Sequence, residues 1–166
     1  TFSAPAGLSV GDKLANVSGR VSEFLGFTEL NNPAWEVVAN LPLPAPAVVT
    51  CVEVDTNPPN LVMESLEAGL IEVTNATVEI CPSYPDCPDY DQYRQWSIDV
   101  GGCSINAVSR YTVAGFDPLA NQGKTLDRAV GTLRHIQFAD PEWILEPRSA
   151  ADICCPTCTP ALNQGC

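Results

Sequence analysis

Eight cysteines constrain the fold of this chain more than any other feature of its sequence. A Cys/His zinc site would need histidines, and His135 is the only histidine among 166 residues. Four-cysteine zinc sites usually contain two C-x-x-C pairs, whereas this chain contains one, Cys155-Pro-Thr-Cys158. We therefore predict that all eight form disulfides and that the protein is secreted into an oxidising compartment. They are Cys51, Cys81, Cys87, Cys103, Cys154, Cys155, Cys158 and Cys166.

Fifteen prolines and eleven glycines divide the chain into short segments that exclude long helices. Alternating apolar and polar residues predict a strand at Leu70–Ile80 and a hairpin at Gln95–Tyr111 that turns at Gly101-Gly102. Ala47–Val54 is predicted to be a strand, Leu61–Gly69 one or two helical turns, and Cys81–Asp91 an irregular loop. Short strands with glycine bends favour a small β-barrel over a sandwich.

A spacing of glycine and leucine occurs twice in the chain. Gly11-x-x-Leu14-x-x-x-x-Gly19 returns as Gly123-x-x-Leu126-x-x-x-x-Gly131. The repeat indicates either two strands that need the same bend or a duplicated half-domain. On this basis we predict an extended segment at residues 1–10, a β-barrel module at 11–153 and a cysteine-rich tail at 154–166.

The order of the cysteines indicates how they pair, although eight cysteines allow about a hundred combinations. Cys81 and Cys87 are expected to bond and close an acidic loop. Cys51 and Cys103 are expected to form a second bond, because both lie on strand candidates. The other four then pair within the tail, where the adjacent Cys154 and Cys155 have different partners because a bond between neighbours is strained. We expect this tail to be a rigid cap on the barrel or a plug for a neighbouring subunit.

A set of sequence phrases carries a resemblance to a known family. They are VGDKLANVSGRVSEFLGFTEL, LPLPAPAVVT, ESLEAGLIEVTNATV, WSIDVGG, GKTLDRAVGTL and ILEPRSAADI. In this order they resemble the OB-fold-like modules of secreted bacterial proteins, which are found beside endonuclease/exonuclease/phosphatase or lamin-tail-type domains. The resemblance covers most of residues 7–153. It implies a mainly β, OB-fold-like barrel with extra strands, and it implies no active site because the catalytic residues of such nucleases lie in the separate phosphoesterase domain.

The net charge of −12 makes polyanions unfavourable partners. Only two lysines and six scattered arginines are present, with no basic run, so nucleic acid and anionic membranes are repelled unless the arginines converge. Apolar runs stay short of the roughly 20 residues that a membrane span needs. The chain begins at Thr1 rather than at a methionine, which is typical of a mature secreted form and equally of a cloned fragment.

Three acidic residues form a weak candidate for a Ca²⁺ site. Asp86, Asp89 and Asp91 are close together in the cysteine-flanked loop, and hard cations prefer clustered oxygen ligands. The loop lacks the glycine and the final glutamate of an EF-hand, so a solvated acidic loop is the favoured interpretation. His135 lies in an alternating strand, and we predict a structural role for it.

Four residues form the candidate surface for nucleic acid. OB-folds bind single strands through aromatic side chains supported by positive charge. Trp96 with Arg94, Arg110 and Arg134 would supply both.

These observations favour a non-catalytic, secreted β module with a structural role. We expect it to assemble with itself or with other extracellular proteins, and a head-to-tail contact by β-strand addition would build a filament. The alternative is an accessory module that presents nucleic acid or another ligand to an extracellular nuclease. An enzyme is the least favoured class, because no carboxylate pair or histidine constellation is present in the pattern.

Overall fold

Two units make up the chain in the computed structural model, Thr1–Ala45 and Pro46–Cys166. The structure describes residues 7–54, 61–81, 85–137 and 141–166, so residues 1–6 of the predicted extended segment lie outside the described residues. Residues 11–40 belong to the predicted barrel module at 11–153, whereas in the structure they fall in the first unit. Alternation and glycine bends are the same in a free hairpin and in a barrel strand, so the pattern alone does not separate the two.

The first unit contains a long antiparallel hairpin. Strand β1 (Asp12–Phe24) pairs with β2 (Phe27–Asn40), and among the described residues neither strand pairs with any other. Leu25 and Gly26 form the connection, and both have positive φ angles of 52° and 81°, as the favoured two-residue hairpin turn requires. Every residue of both strands is exposed or half-buried.

The second unit contains seven strands and three short helices among its described residues. Two 3-10 turns, Leu119–Asn121 and Ala150–Asp152, complete it. In chain order the elements are β3 (Ala47–Val48), α1 (Cys51–Val54), α2 (Leu61–Ser65), β4 (Leu70–Glu79), α3 (Pro88–Tyr93), β5 (Trp96–Asp99), β6 (Ser104–Ala107), β7 (Thr125–Gln137), β8 (Pro141–Glu146) and β9 (Ile153–Cys154).

Five of these strands close into a barrel. The order is β4-β5-β6-β8-β7, and β7 returns to pair antiparallel with β4. The β6–β8 pair is parallel and the other pairs in the barrel are antiparallel. The prediction of a mainly β, OB-fold-like barrel with extra strands is confirmed, with β3 and β9 as the additions at the two ends of the sheet.

Strand β4 supplies much of the barrel core. Ile71 and Val73 are fully buried, because alternate side chains of a strand point to the same face. Ala76 and Val78 are also fully buried, and the alternation shifts by one residue at Thr74-Asn75, where both residues are exposed and Asn75 has a positive φ of 51°. The largest fully buried side chains of the unit are Trp96, Met63, Ile71, Ile80, Ile98, Ile105, Leu126, Leu133, Ile144, Leu145, Ile153 and Val49.

The predicted strand Ala47–Val54 is wrong beyond Val48, because the chain turns into helix α1. Thr50 and Glu53 form a capping box. The Thr50 amide donates to Glu53 Oε2 at 2.8 Å, and the Val52 amide donates to Thr50 Oγ1 at 3.3 Å. Hydrogen bonds from the hydroxyl and backbone of Thr50 lower the pKa of Glu53. The T-x-x-E spacing is a known helix start that outweighs the β-branched residues here.

The predicted irregular loop Cys81–Asp91 also contains a helix. Helix α3 begins at Pro88, since proline is favoured in the first turn, where its missing N–H is not needed. It ends at Tyr93, and the next residue, Arg94, has a left-handed backbone and donates its amide to the Tyr90 carbonyl oxygen at 2.9 Å. The helical turn predicted within Leu61–Gly69 is present as α2.

Four disulfides pair all eight cysteines. The expected bonds Cys51–Cys103 and Cys81–Cys87 are present. The tail contains Cys154–Cys166 and Cys155–Cys158, so the adjacent cysteines do have different partners. The Cys51–Cys103 bond spans 52 residues, the longest separation of the four. In the chain-entropy account it therefore restricts the unfolded state most.

The two copies of the glycine–leucine spacing lie in different units but in similar local structures. Gly11 and Gly123 have positive φ angles of 93° and 77°, and each precedes a 13-residue strand, β1 or β7. A Cβ on Gly131 would lie 2.6 Å from the carbonyl carbon of Glu146, so only glycine fits where β7 meets the end of β8. A shared bend accounts for the similarity, and duplication stays a prediction.

The cysteine-rich tail packs onto the barrel. Cys155, Cys158 and Leu162 are buried in the same cluster as the barrel core. Asn121 is fully buried, and its amide nitrogen donates to the carbonyl oxygens of Asp117 and Thr159, each at 2.9 Å. The Thr159 amide donates to Asn121 Oδ1 at 2.7 Å. Of the two roles expected for the tail, these contacts support the rigid cap on the barrel.

We predict that Asn121→Ala lowers the free energy of unfolding by about 2–3 kcal/mol, because it removes all three hydrogen bonds that the buried Asn121 side chain makes with the backbone of Asp117 and Thr159. For a chain of this size that loss corresponds to a fall of roughly 4–10 °C in Tm. Differential scanning calorimetry without reductant is the measurement. Asn163→Ala, at an exposed tail position, is the control and should unfold like the wild type. Equal Tm values for N121A and N163A would contradict this account of the tail.

Candidate functional site

Large apolar side chains line the hairpin and are open to solvent. We call this set the hairpin surface, and its members are Val17, Val21, Phe24, Leu25, Leu30, Val37 and Val38, with exposed fractions of 39–65%. Val21 and Leu30 are direct cross-strand partners. Phe24 lies three residues further along β1 and pairs with Phe27, so it belongs to the opposite face. Both faces of the hairpin therefore carry exposed apolar groups.

Polar contacts between the two strands hold the hairpin in register. Asn16 Nδ2 donates to Glu36 Oε2 at 2.9 Å, and Asn40 Nδ2 donates to Asp12 Oδ1 at 2.9 Å. The bond from Asn40 lowers the pKa of Asp12. Two-stranded hairpins with no covering layer are marginally stable in water. These contacts fix the geometry of the hairpin but do not remove its apolar surface from water.

A cleft in the second unit brings two arginines together. We call it the arginine cleft. Its volume is about 350 Å³, and its lining residues are Arg94, Ser109, Arg110, Val113, Gly115, Phe116, Asp117 and Pro118. Arg94 is positioned by the end of α3, and Arg110 by the loop that follows β6. Val113 and Phe116 are buried, so the cleft has an apolar floor and a charged rim.

Each arginine of the cleft rests on a tyrosine. The guanidinium of Arg94 lies 5.1 Å from the ring centre of Tyr90, and that of Arg110 lies 5.1 Å from the ring centre of Tyr111, both within cation–π range. Burial, followed by the nearby Asp117 carboxylate, raises the pKa of Tyr90. The Tyr90 hydroxyl therefore stays protonated and donates to Asp117 Oδ1 at 3.2 Å.

The other three arginines of the second unit form ion pairs with carboxylates. The ion pairs are Arg128–Glu72 at 2.8 Å, Arg134–Glu146 at 2.8 Å and Arg148–Asp152 at 2.6 Å. Within the described part of the chain, Arg94 and Arg110 make no such pair. The two arginines of this unit that have no ion pair there are thus the two that line the cleft.

Asp152 shows how strongly such a pair is held. Burial alone would raise its pKa, but hydrogen bonds from the side chain and backbone of Arg148 outweigh that effect and lower the pKa. The Arg148 Nε donates to Asp152 Oδ2 at 2.9 Å and the backbone amide donates to the same oxygen at 2.7 Å. Because the pKa is lower in the folded state, the contribution of this carboxylate to stability is present above its unfolded pKa and is lost as pH falls through the folded value.

We predict that Asp152→Asn destabilises the protein by about 1–2 kcal/mol at neutral pH, a value reduced for the partial exposure of Arg148. The difference from the wild type should shrink as pH falls below about 4, where an unfolded aspartate becomes protonated. Chemical denaturation at several pH values measures it. Asp91→Asn, at an exposed position, should show no comparable difference. A D152N deficit that is independent of pH from 7 to 3 would contradict the ion-pair account.

The four residues predicted to contact nucleic acid are not brought to one surface. Arg94 and Arg110 meet at the arginine cleft, but Trp96 is 1% exposed and Arg134 is paired with Glu146. Trp96 Nε1 donates to Ser109 Oγ at 3.1 Å, and the Trp96 ring contacts Phe116 at a centroid distance of 5.4 Å. The tryptophan therefore supports the cleft from below and offers no open face for a base.

His135 is buried in the barrel unit. Its ring stacks on Trp143 with a centroid distance of 4.3 Å, and its Nε2 has no hydrogen-bond partner among the described residues. Trp143 is its cross-strand partner on β8. The position matches the structural role predicted for this histidine.

The acidic loop forms one wall of a second cleft, of about 430 Å³. Asp86 and Asp89 line it together with the Cys81–Cys87 disulfide. On the opposite side Gln95 and Asn106 both donate to Glu142 Oε2, at 2.8 and 3.2 Å. Across the described residues, no three His, Cys, Asp or Glu side chains come close enough to hold a metal ion. The structure thus does not assemble Asp86, Asp89 and Asp91 into the suggested Ca²⁺ site.

Comparisons with protein-family models, with curated proteins and with solved structures gave no match to this chain. The resemblance to OB-fold-like modules of secreted nuclease-associated proteins therefore stays a prediction, although the barrel itself is present. None of the helices in the described ranges has the length and apolar character that crossing a membrane requires.

Sequence reasoning missed the hairpin surface and the polar part of the cleft. The pattern of residues 11–40 predicted β structure within the barrel module but carried no signal for a missing sheet partner. Ser109, Asp117 and Tyr90 come from three separate segments, so no local spacing could have identified the cleft that they form or support.

Proposed function

We propose that this protein is a non-catalytic, extracellular structural module that assembles with copies of itself through the hairpin surface. One observation carries the proposal: β1 and β2 have 13 and 14 residues, and none of them is buried. A concentration of exposed large apolar side chains usually marks an interaction site on a soluble protein. The four disulfides are compatible with an extracellular location.

The size of the hairpin suits an interface between folded subunits. Each partner in a stable protein–protein contact contributes roughly 20–30 residues, which the two strands together supply. Each strand also has one edge without a partner strand among the described residues. Such an edge can bind a strand of another copy through backbone hydrogen bonds, with the apolar side chains covered at the same time.

The second unit offers few places for such a strand to bind. Its five barrel strands close on themselves, and closure removes free edges. Strand β3 is the last strand at one end of the sheet order, and Val48 on it is 61% exposed. Val52 and Val62 nearby in sequence are 71% and 46% exposed. One copy therefore carries both an apolar hairpin and an apolar strand edge.

A contact between two different surfaces of identical copies is head-to-tail. Such a contact repeats and gives an open filament unless its geometry closes into a ring. Each copy has a net charge of −12, so copies repel one another at low ionic strength. Apolar burial must outweigh that repulsion, and salt should favour assembly by screening it.

We predict that the double variant Val21→Lys/Leu30→Glu weakens self-association by at least about a hundredfold. It removes two apolar side chains, each worth roughly 1.5–3 kcal/mol when fully buried. The new side chains face each other across the strands, and an opposite-charge pair keeps the hairpin folded. Sedimentation velocity over a concentration series in physiological salt is the measurement.

The matched control is Ser22→Lys, which places a lysine opposite Glu29 on the other face of the same hairpin. It keeps every apolar side chain of the hairpin surface, although it loses the hydrogen bond that Asn31 Nδ2 donates to Ser22 Oγ, and it should assemble far better than the double variant. A wild-type protein that stays monomeric at all concentrations would overturn the proposal. So would a V21K/L30E variant that assembles as well as the wild type.

A further inference from the structure

The arginine cleft is the one place in the described barrel unit where unpaired positive charge converges on a cavity. The protein carries 20 acidic residues against eight lysines and arginines. Most cations in such a chain are expected to be neutralised by neighbouring carboxylates, as Arg128, Arg134 and Arg148 are. Arg94 and Arg110 depart from this, and both line the same cleft.

The carboxylate in the lining of the cleft makes hydrogen bonds to other groups. Asp117 also lines the cleft, but its Oδ1 accepts hydrogen bonds from the Tyr90 hydroxyl at 3.2 Å and the Leu119 amide at 3.0 Å. Asp117 forms no ion pair with either guanidinium group among the described residues, so the donors of both groups remain available. Guanidinium groups bind carboxylate and phosphate oxygens with paired, charge-assisted hydrogen bonds.

The floor of the cleft is apolar, so it favours a ligand that has an apolar part as well as negative charge. Val113, Phe116 and Pro118 are buried side chains that face an open volume of about 350 Å³, which is in the range of small-molecule sites. Ser109 beside them is 2% exposed. Trp96 fixes this serine through its Nε1 hydrogen bond, so the floor is rigid.

We propose that the arginine cleft binds a small organic oxyanion, in which a carboxylate or phosphate is attached to a flat apolar body. The oxyanion lies between Arg94 and Arg110 at the rim, and the apolar body covers Val113 and Phe116. All residues that line the site belong to the second unit.

The test uses the full chain and three simple probes: benzoate, phenyl phosphate and inorganic phosphate. Each is titrated while the amide ¹H–¹⁵N chemical shifts of Arg94, Arg110 and Gly115 are followed. We expect saturable shifts with benzoate or phenyl phosphate and dissociation constants on the order of 1 mM or tighter. The tighter of the two probes identifies the preferred oxyanion. Inorganic phosphate should bind at least about tenfold more weakly, because it covers none of the apolar floor.

Arg94→Gln and Arg110→Gln should each weaken binding by about tenfold or more, since each removes a charge-assisted hydrogen bond. Lys124→Gln is the matched control: Lys124 is exposed and does not line the cleft, so its loss should change binding less than about twofold. Because Arg94 has a left-handed backbone, R94Q is checked by its Tm, and R110Q serves alone if R94Q unfolds.

Three results would overturn the site. The first is a linear, unsaturated shift with both organic probes. The second is equal binding by the wild type, the folded arginine variants and K124Q. The third is inorganic phosphate binding as tightly as phenyl phosphate, which would remove the role of the apolar floor.

Discussion

Strand β7 pairs with β4, β8 and β9, and the barrel unit depends on these ladders. The pairing with β4 extends from Leu70 to Thr77 and closes the sheet. Arg128 on β7 adds a side-chain connection, because its Nε donates to Glu72 Oε2 on β4 at 2.8 Å and its Nη1 donates to the Gly165 carbonyl in the tail at 3.3 Å. Closure buries one face of the barrel strands, and Cys155, Cys158 and Leu162 of the disulfide-bonded tail pack into the same core. No comparable closure exists in the hairpin unit among its described residues.

The contrast between the units is the physical basis of the proposed function. In the barrel, backbone pairing and apolar burial support each other, so the unit has its own core. In the hairpin, each of the two strands pairs through backbone hydrogen bonds along one edge only, and the apolar side chains stay in contact with water. Val21, Phe24 and Leu30 are apolar side chains at such exposed positions. Apolar surface of this kind promotes aggregation of a monomer, and its burial stabilises a specific assembly. The high negative charge fits this interpretation, because repulsion between copies limits association at surfaces that do not match.

Local patterns predicted most of the fold. The apolar and polar residues of Leu70–Ile80, which alternate except at Thr74-Asn75, predicted β4, and Gly101-Gly102 predicted the turn between β5 and β6. The Thr50–Glu53 capping box and Pro88 at the start of α3 were also present in the sequence, but β-branched residues and the density of prolines favoured other interpretations. These two errors concern competing local signals, and better weighting of helix starts would have removed them.

The candidate sites depend on contacts between residues far apart in the chain, so they were harder to predict from the sequence than the strands were. Arg94 and Arg110 were selected as charged residues near aromatic ones, and only the fold shows that both face one cleft while Arg134 is paired and Trp96 is buried. The separation of residues 12–40 from the barrel had no local signal, since a strand's sequence reports its two faces and not which strand lies beside it.

Amide hydrogen exchange of β1 and β2 as a function of protein concentration tests the central claim most directly. Assembly through the hairpin surface predicts that amides of Asp12–Asn40 exchange rapidly in dilute protein and become protected by at least about a hundredfold under assembling conditions. Barrel strands away from the contact, such as β5 and β6, should change little. Hairpin amides that exchange at the same rate in dilute and assembled protein would contradict the claim.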